Sequence, residues 1–225
     1  MDRRTFLAVG GTTALAGVAG CLGDDGEYET ESYEGTEVPL APIDDVIEWY
    51  EADDIRVVDT RGRDQYEEVR IAGAVFSPAP DGTDDDPTVD WSADTRIVTY
   101  CGCPHHLSVM RGATLIDEGY ENTFALDEGL QEWYEREYPM EGSGIQVERQ
   151  SYEIRGMSDP DHAGEMVTLA QVNADRTEAA PIADDGSYAL TLHYAGSTDS
   201  RFELEAPDYT HEATLAELTS DVVTA

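Results

Sequence analysis

The sequence predicts a parallel α/β sheet flanked by helices, followed by a smaller all-β unit. Three observations carry this. Short apolar runs with strand character alternate with helix-like stretches between residues 43 and 119, the pattern of a parallel sheet built from crossover connections. Tyr188, Leu190, Leu192 and Tyr194 alternate with Ala189, Thr191 and His193, which is the period of a half-buried strand. Between the two patterns lies Glu141-Gly142-Ser143-Gly144, a natural boundary.

Taken in order, the chain opens with paired arginines in Asp2-Arg3-Arg4-Thr5-Phe6-Leu7 and a weakly apolar stretch from Phe6 to Ala19. That stretch is too short and too rich in Gly and Ala to span a bilayer. It resembles a twin-arginine export signal, and Val18-Ala19-Gly20-Cys21 resembles the lipobox of bacterial and archaeal lipoproteins. The resemblance implies a signal peptide over residues 1–20, lipidation of Cys21, and an exported protein anchored to the outer face of the cytoplasmic membrane. Residues 21–37 are acidic with almost nothing apolar to bury, so they are expected to form a disordered tether.

The α/β unit is expected over residues 38–142. Ile43, Val46, Ile47 and Tyr50 form the stripe of a short amphipathic helix. Ile55-Arg56-Val57-Val58-Asp59 reads as a buried strand, and Thr95-Arg96-Ile97-Val98-Thr99-Tyr100 as a second one running directly into Cys101. Val109, Met110, Ala113, Leu115 and Ile116 suit a helix ending at Gly119. The β unit is expected over residues 145–225, with Asp185-Gly186 as the turn before the alternating strand and with further strands at Val167-Thr168-Leu169 and Phe202-Glu203-Leu204.

Charge bounds the partners. The formal net charge is -36, and all 13 basic residues are arginine. Such a surface repels nucleic acid and anionic lipid. A lysine-free acidic excess resembles proteins of extreme halophiles, where concentrated salt screens self-repulsion. Runs such as Asp84-Asp85-Asp86 then read as solvated surface.

Cys101 is the candidate reactive residue. A cysteine between a strand end and a helix N-terminus faces backbone N–H groups and the positive end of the helix dipole, which favour thiolate. Gly102 lets the backbone curl around the sulfur, and His105 and His106 are candidate accessory residues that could add charge or exchange protons. Cys103 lies two residues away, and Gly102, Cys103, Pro104, His105, His106 and Leu107 make up the expected substrate-binding loop.

These residues belong to a longer resemblance. Val58-Asp59-Thr60-Arg61, Tyr66, Ile71-Ala72-Gly73-Ala74-Val75 and Pro78 resemble the first rhodanese signature, with Arg70 where that family usually has histidine. Tyr100-Cys101, the helix that follows, Gly119-Tyr120, Phe124, Leu126, Gly129-Leu130, Trp133 and Tyr138-Pro139 resemble the second half. The resemblance implies a rhodanese-like fold and sulfur transfer, with Cys101 taking the outer sulfur of a donor such as thiosulfate and passing it to a thiol acceptor. It implies no resident cofactor or metal. Asp59 and Arg61 read as a structural pair near the strand end. The β unit resembles, over short signatures such as Asp159-Pro160-Asp161-His162-Ala163-Gly164, the carboxypeptidase-regulatory or prealbumin-like β-sandwiches of secreted proteins, a spacer or a binding module whose partner the sequence does not name.

Departures from the rhodanese pattern leave other readings open. The expected anion-binding arginine before the helix is missing, and Pro104 removes a backbone donor from the cradle. The longer loop resembles Cys-x5-Arg phosphatases, but Leu107 stands at the arginine position. Cys101 and Cys103 could act as a redox dithiol. Cys101, Cys103, His105 and His106 could bind zinc or copper. An inactive binding domain is the remaining alternative.

Overall fold

The computed structural model describes residues 28–102 and 104–225. The expected signal peptide, Cys21 and Cys103 lie outside the described residues. No helix among the described residues is long and apolar enough to cross a membrane.

The first unit contains strands β1 (Thr30–Tyr33) and β2 (Thr36–Ala41), helix α1 (Ile43–Glu51), β3 (Arg56–Asp59), α2 (Arg63–Glu68), β4 (Arg70–Ile71), β5 (Val75–Phe76), β6 (Ile97–Tyr100), α3 (His106–Asp117), β7 (Thr123–Leu126), α4 (Gly129–Glu135) and β8 (Met140–Glu141). Its main sheet runs β1-β2-β7-β6-β3-β5, and β4 pairs with β8 in a small separate ribbon. All main-sheet pairs from β2 to β5 are parallel, while β1 runs antiparallel to β2. Val57, Val58, Ile97, Val98 and Tyr100 are buried, as continuous apolar runs in a sheet covered on both faces must be.

Two expectations are corrected. Residues 30–37, placed in the disordered tether, form a hairpin whose two turn residues, Glu34 and Gly35, both take positive φ, as tight hairpin turns favour. The acidic segment is ordered because its backbone completes the edge of β2, whose Val38, Leu40 and Ala41 are buried. His106 and Leu107, placed in the loop, form the first turn of α3. Leu107 is buried beside Cys101, Met110 and Ala179, so it belongs to the core.

The second unit contains β9 (Gln150–Met157), β10 (Met166–Gln171), β11 (Thr177–Pro181), β12 (Ser187–Tyr194), β13 (Arg201–Ala206), β14 (Tyr209–Thr214) and a single turn of helix, α5 (Leu215–Leu218). β11-β10-β13-β14 make one antiparallel sheet and β12-β9 another. Ile154, Leu190 and Leu192 of the smaller sheet share one core with Val167, Leu169, Phe202 and Leu204 of the larger.

The two units meet along α2 and α3. Between them, Gly144 N–H donates to the Glu68 carbonyl at 2.7 Å, and Glu68 pairs with Arg149 at 2.8 Å and Arg176 at 2.7 Å. Asp64 N–H donates to the Asp175 carbonyl at 3.1 Å, and Asp175 N–H returns a bond to Asp64 Oδ2 at 3.0 Å. A Cβ on Gly62 would run into the Asp175 carbonyl, so only glycine permits this approach.

Candidate functional site

Cys101 lies immediately beyond the carboxyl end of β6, and α3 begins five residues later. Reactive groups of parallel sheets collect at that edge. Its side chain is fully buried, with Sγ 3.8 Å from Ser108 Oγ on the first turn of α3. Ser108 donates to the His105 carbonyl at 2.9 Å, which ties the loop to the helix. The Cys101 carbonyl accepts from Leu130 N–H of α4 at 2.9 Å.

Beneath the loop lies a buried polar layer. Arg61 Nε donates to Asp59 Oδ1 at 2.9 Å, and its Nη2 donates to Asp59 Oδ2 and to the Val69 carbonyl, each at 2.6 Å. Tyr100 donates its hydroxyl to Asp59 Oδ2 at 2.7 Å. Burial opposes the charge on Arg61, but the Asp59 carboxylate outweighs it and holds the guanidinium ionised. Burial, with Asp59 beside it, keeps the Tyr100 hydroxyl protonated. Asp59 and Arg61 thus form the structural pair that their positions suggested.

The loop residues separate. Gly102 is buried and Pro104 exposed. His105 takes φ +29, an uncommon conformation outside glycine, and is held on both ring nitrogens. Nε2 meets Glu31 Oε2 at 2.8 Å, and Nδ1 meets both the carbonyl oxygen and the carboxylate of Asp127 at 3.0 Å. Burial would lower its pKa, but Glu31 and Asp127 push it up to about 9. His106 turns its Nδ1 to the Ala179 carbonyl at 2.8 Å, and burial pulls its pKa down.

The residue that sequence reasoning missed is Glu178, on β11 of the second unit. It is 2 % exposed and accepts from Gln65 Nε2 at 2.9 Å. Gln65 Oε1 in turn accepts from Thr177 N–H at 2.8 Å and Gly62 N–H at 3.2 Å. A Cβ on Gly102 would lie 2.7 Å from Glu178 Oε1, so the glycine that opens the loop also admits this carboxyl. Burial first, and then the negative sulfur of Cys101, push Glu178 up to about 8 against the opposing pull of Arg61 and Arg176. It is therefore mostly a neutral carboxylic acid at neutral pH, able to sit beside an anionic sulfur. A glutamate in the short segment Thr177–Pro181 carries no signal that it will be delivered to another unit's cysteine.

Beside Gly102 and Glu178 is a cavity of about 30 Å³ lined also by Arg61, Gln65, Arg149 and Arg176. That is room for about one water molecule. The loop lacks its own arginine, while the second unit and the segment leading into it bring two to this cavity.

Residues 43–136 match the family model of the rhodanese-like domain. The chain carries a rhodanese-like domain. Among solved structures, the rhodanese-like domain resembles a protein from Bacillus halodurans at 25% identity, over 47% of this chain and 77% of that one, with a TM-score of 0.38. It is similar to a rhodanese-like domain from Anabaena at 24% identity, over 46% and 79% of the two chains, TM-score 0.41. A human single-domain sulfurtransferase is similar at 16% identity, over 44% and 97%, TM-score 0.39. No curated protein matches the chain.

Proposed function

We propose that the protein is a sulfurtransferase or persulfide carrier in which Cys101 is the sulfur-bearing residue. The observation that carries this reading is the position of Cys101 at the carboxyl end of β6, before α3, in a rhodanese-like domain. The Cys101 thiolate attacks the outer sulfur of a donor such as thiosulfate, the sulfur–sulfur bond breaks, and sulfite leaves with the bonding pair. Cys101 then carries a persulfide anion, and a thiolate acceptor takes the outer sulfur and regenerates the Cys101 thiolate. Protonated Glu178 leaves the negative charge to the sulfur. A fully buried sulfur beside a cavity of about 30 Å³ calls for the second unit to part from the loop before a donor enters. The arginine pair Arg3-Arg4 and the lipobox-like Val18-Ala19-Gly20-Cys21 support a site of action on the outer face of the membrane.

The test is intact mass after incubation with thiosulfate. One added sulfur, lost on cyanide treatment and absent in Cys101→Ala, is expected. An adduct that persists in Cys101→Ala would remove Cys101 from the reaction.

A further inference from the structure

We propose that Glu31, His105 and His106 form a binding site for one divalent transition metal ion of the zinc class, built between the β1 edge and the loop that follows Cys101. One oxygen of Glu31 and one nitrogen of each histidine lie within 4.8 Å of one another, a separation that a single ion can span with bonds of roughly 2.0–2.2 Å after small side-chain adjustments.

The orientation of the rings is the second observation. His106 Nδ1 is directed at the Ala179 carbonyl at 2.8 Å and His105 Nδ1 at the Asp127 carbonyl at 3.0 Å. A carbonyl only accepts, so each Nδ1 carries hydrogen; His106 Nε2 is left for a ligand, and His105 Nε2 would exchange the proton it shares with Glu31 for the ion. Metal-ligating histidines are held in this way, with the far nitrogen bonded to a carbonyl or carboxylate. His105 Nε2 already faces Glu31 Oε2 at 2.8 Å, and His106 Nε2 has no hydrogen-bond partner among the described residues. The side chains of His105 and Glu31 are 20% and 25% exposed, so the site is sheltered and still open to an entering ion.

Two imidazoles and one carboxylate suit zinc, nickel or copper(II), while calcium and magnesium prefer oxygen sets. The sequence alone suggested a different set, Cys101 with Cys103 and both histidines. Glu31 replaces the thiolates here, and it comes from a segment expected to be disordered. The ion would join β1, the Cys101 loop and, through the Ala179 carbonyl, the second unit.

Cobalt(II) added to the purified full chain, with magnesium in excess to occupy surface carboxylates, tests the proposal. The expected result is one cobalt per chain, with visible d–d bands and no thiolate-to-metal charge-transfer band. Affinity should stay unchanged in Cys101→Ser and Cys103→Ser and fall by about tenfold or more in Glu31→Gln and in His106→Gln. Glu31→Gln keeps size and shape on an edge strand, and circular dichroism confirms that each variant is folded. Failure to bind stoichiometrically, full affinity in both ligand variants, or a charge-transfer band abolished by either cysteine substitution would each overturn the site. None of these readouts depends on sulfur transfer.

Discussion

Glu178 gives the site its clearest titration. Its pKa is pushed up from the usual carboxylate range to about 8, so the folded state binds this proton more tightly than the unfolded chain does. The stability it contributes is complete below the ordinary glutamate range and is lost as pH rises through about 8. Chemical denaturation from about pH 6 to about pH 9 should therefore show stability falling in the wild type and a flatter profile in Glu178→Gln. Sulfur loading of Cys101 should follow the same contrast, because an ionised Glu178 repels the persulfide. The ratio of wild type to Glu178→Gln should decline above about pH 8. A ratio independent of pH would take Glu178 out of the site. Arg61 is a different case, since removing it strands the Asp59 carboxylate where no water reaches. Arg61→Ala should cost about 3–5 kcal/mol in denaturant titration, with Asp59→Asn recovering part of the loss.

At the scale of elements, α2 is the dock for β11. Gln65 is 2 % exposed and joins three partners, Gly62, Thr177 and Glu178, through its amide. Gln65→Leu keeps the volume and loses every one of these bonds. It should cost about 1–3 kcal/mol, because the buried Glu178 carboxyl and the half-buried Thr177 N–H are left without this partner. The same variant should speed alkylation of Cys101, as β11 loosens. Much of the element order was legible in the sequence: α1, β3, β6, α3, β10, β12 and β13 overlap the stretches whose periodicity announced them. The β1–β2 hairpin was not, since Thr30–Tyr33 has no apolar alternation to display and owes its order to pairing with β2.

At the scale of the molecule, a closed interface stands between Cys101 and any donor. The ion pairs of Glu68 with Arg149 and Arg176 and the bonds between Asp64 and Asp175 hold the two units together. If parting them limits access, then Glu68→Gln should raise the rates of both alkylation and thiosulfate loading in a Cys103→Ser background. The gain should be severalfold, as expected when about 1 kcal/mol of clamping is removed. An unchanged rate of loading would show that donors reach Cys101 by another route. Added salt should act in the same direction, since partly exposed ion pairs are screened.

The sequence by itself determined the rhodanese-like sheet, the place of Cys101 at a strand end and the β-rich character of the second unit. The strands, helices and place of Cys101 follow from local periodicity, and the rhodanese-like character from the resemblance carried by motifs in order along the chain. Only the tertiary structure decided what surrounds the sulfur. Glu178 is 77 residues beyond Cys101 and Glu31 is 74 before His105, and neither spacing carries a signal. Their positions depend on how β11 docks on α2 across the interface and how β1 pairs with β2 at the sheet edge, and both are products of tertiary packing. The absence of an arginine from the loop is a fact of the sequence; that Arg149 and Arg176 line the cavity beside Gly102 became visible only once the two units were placed together.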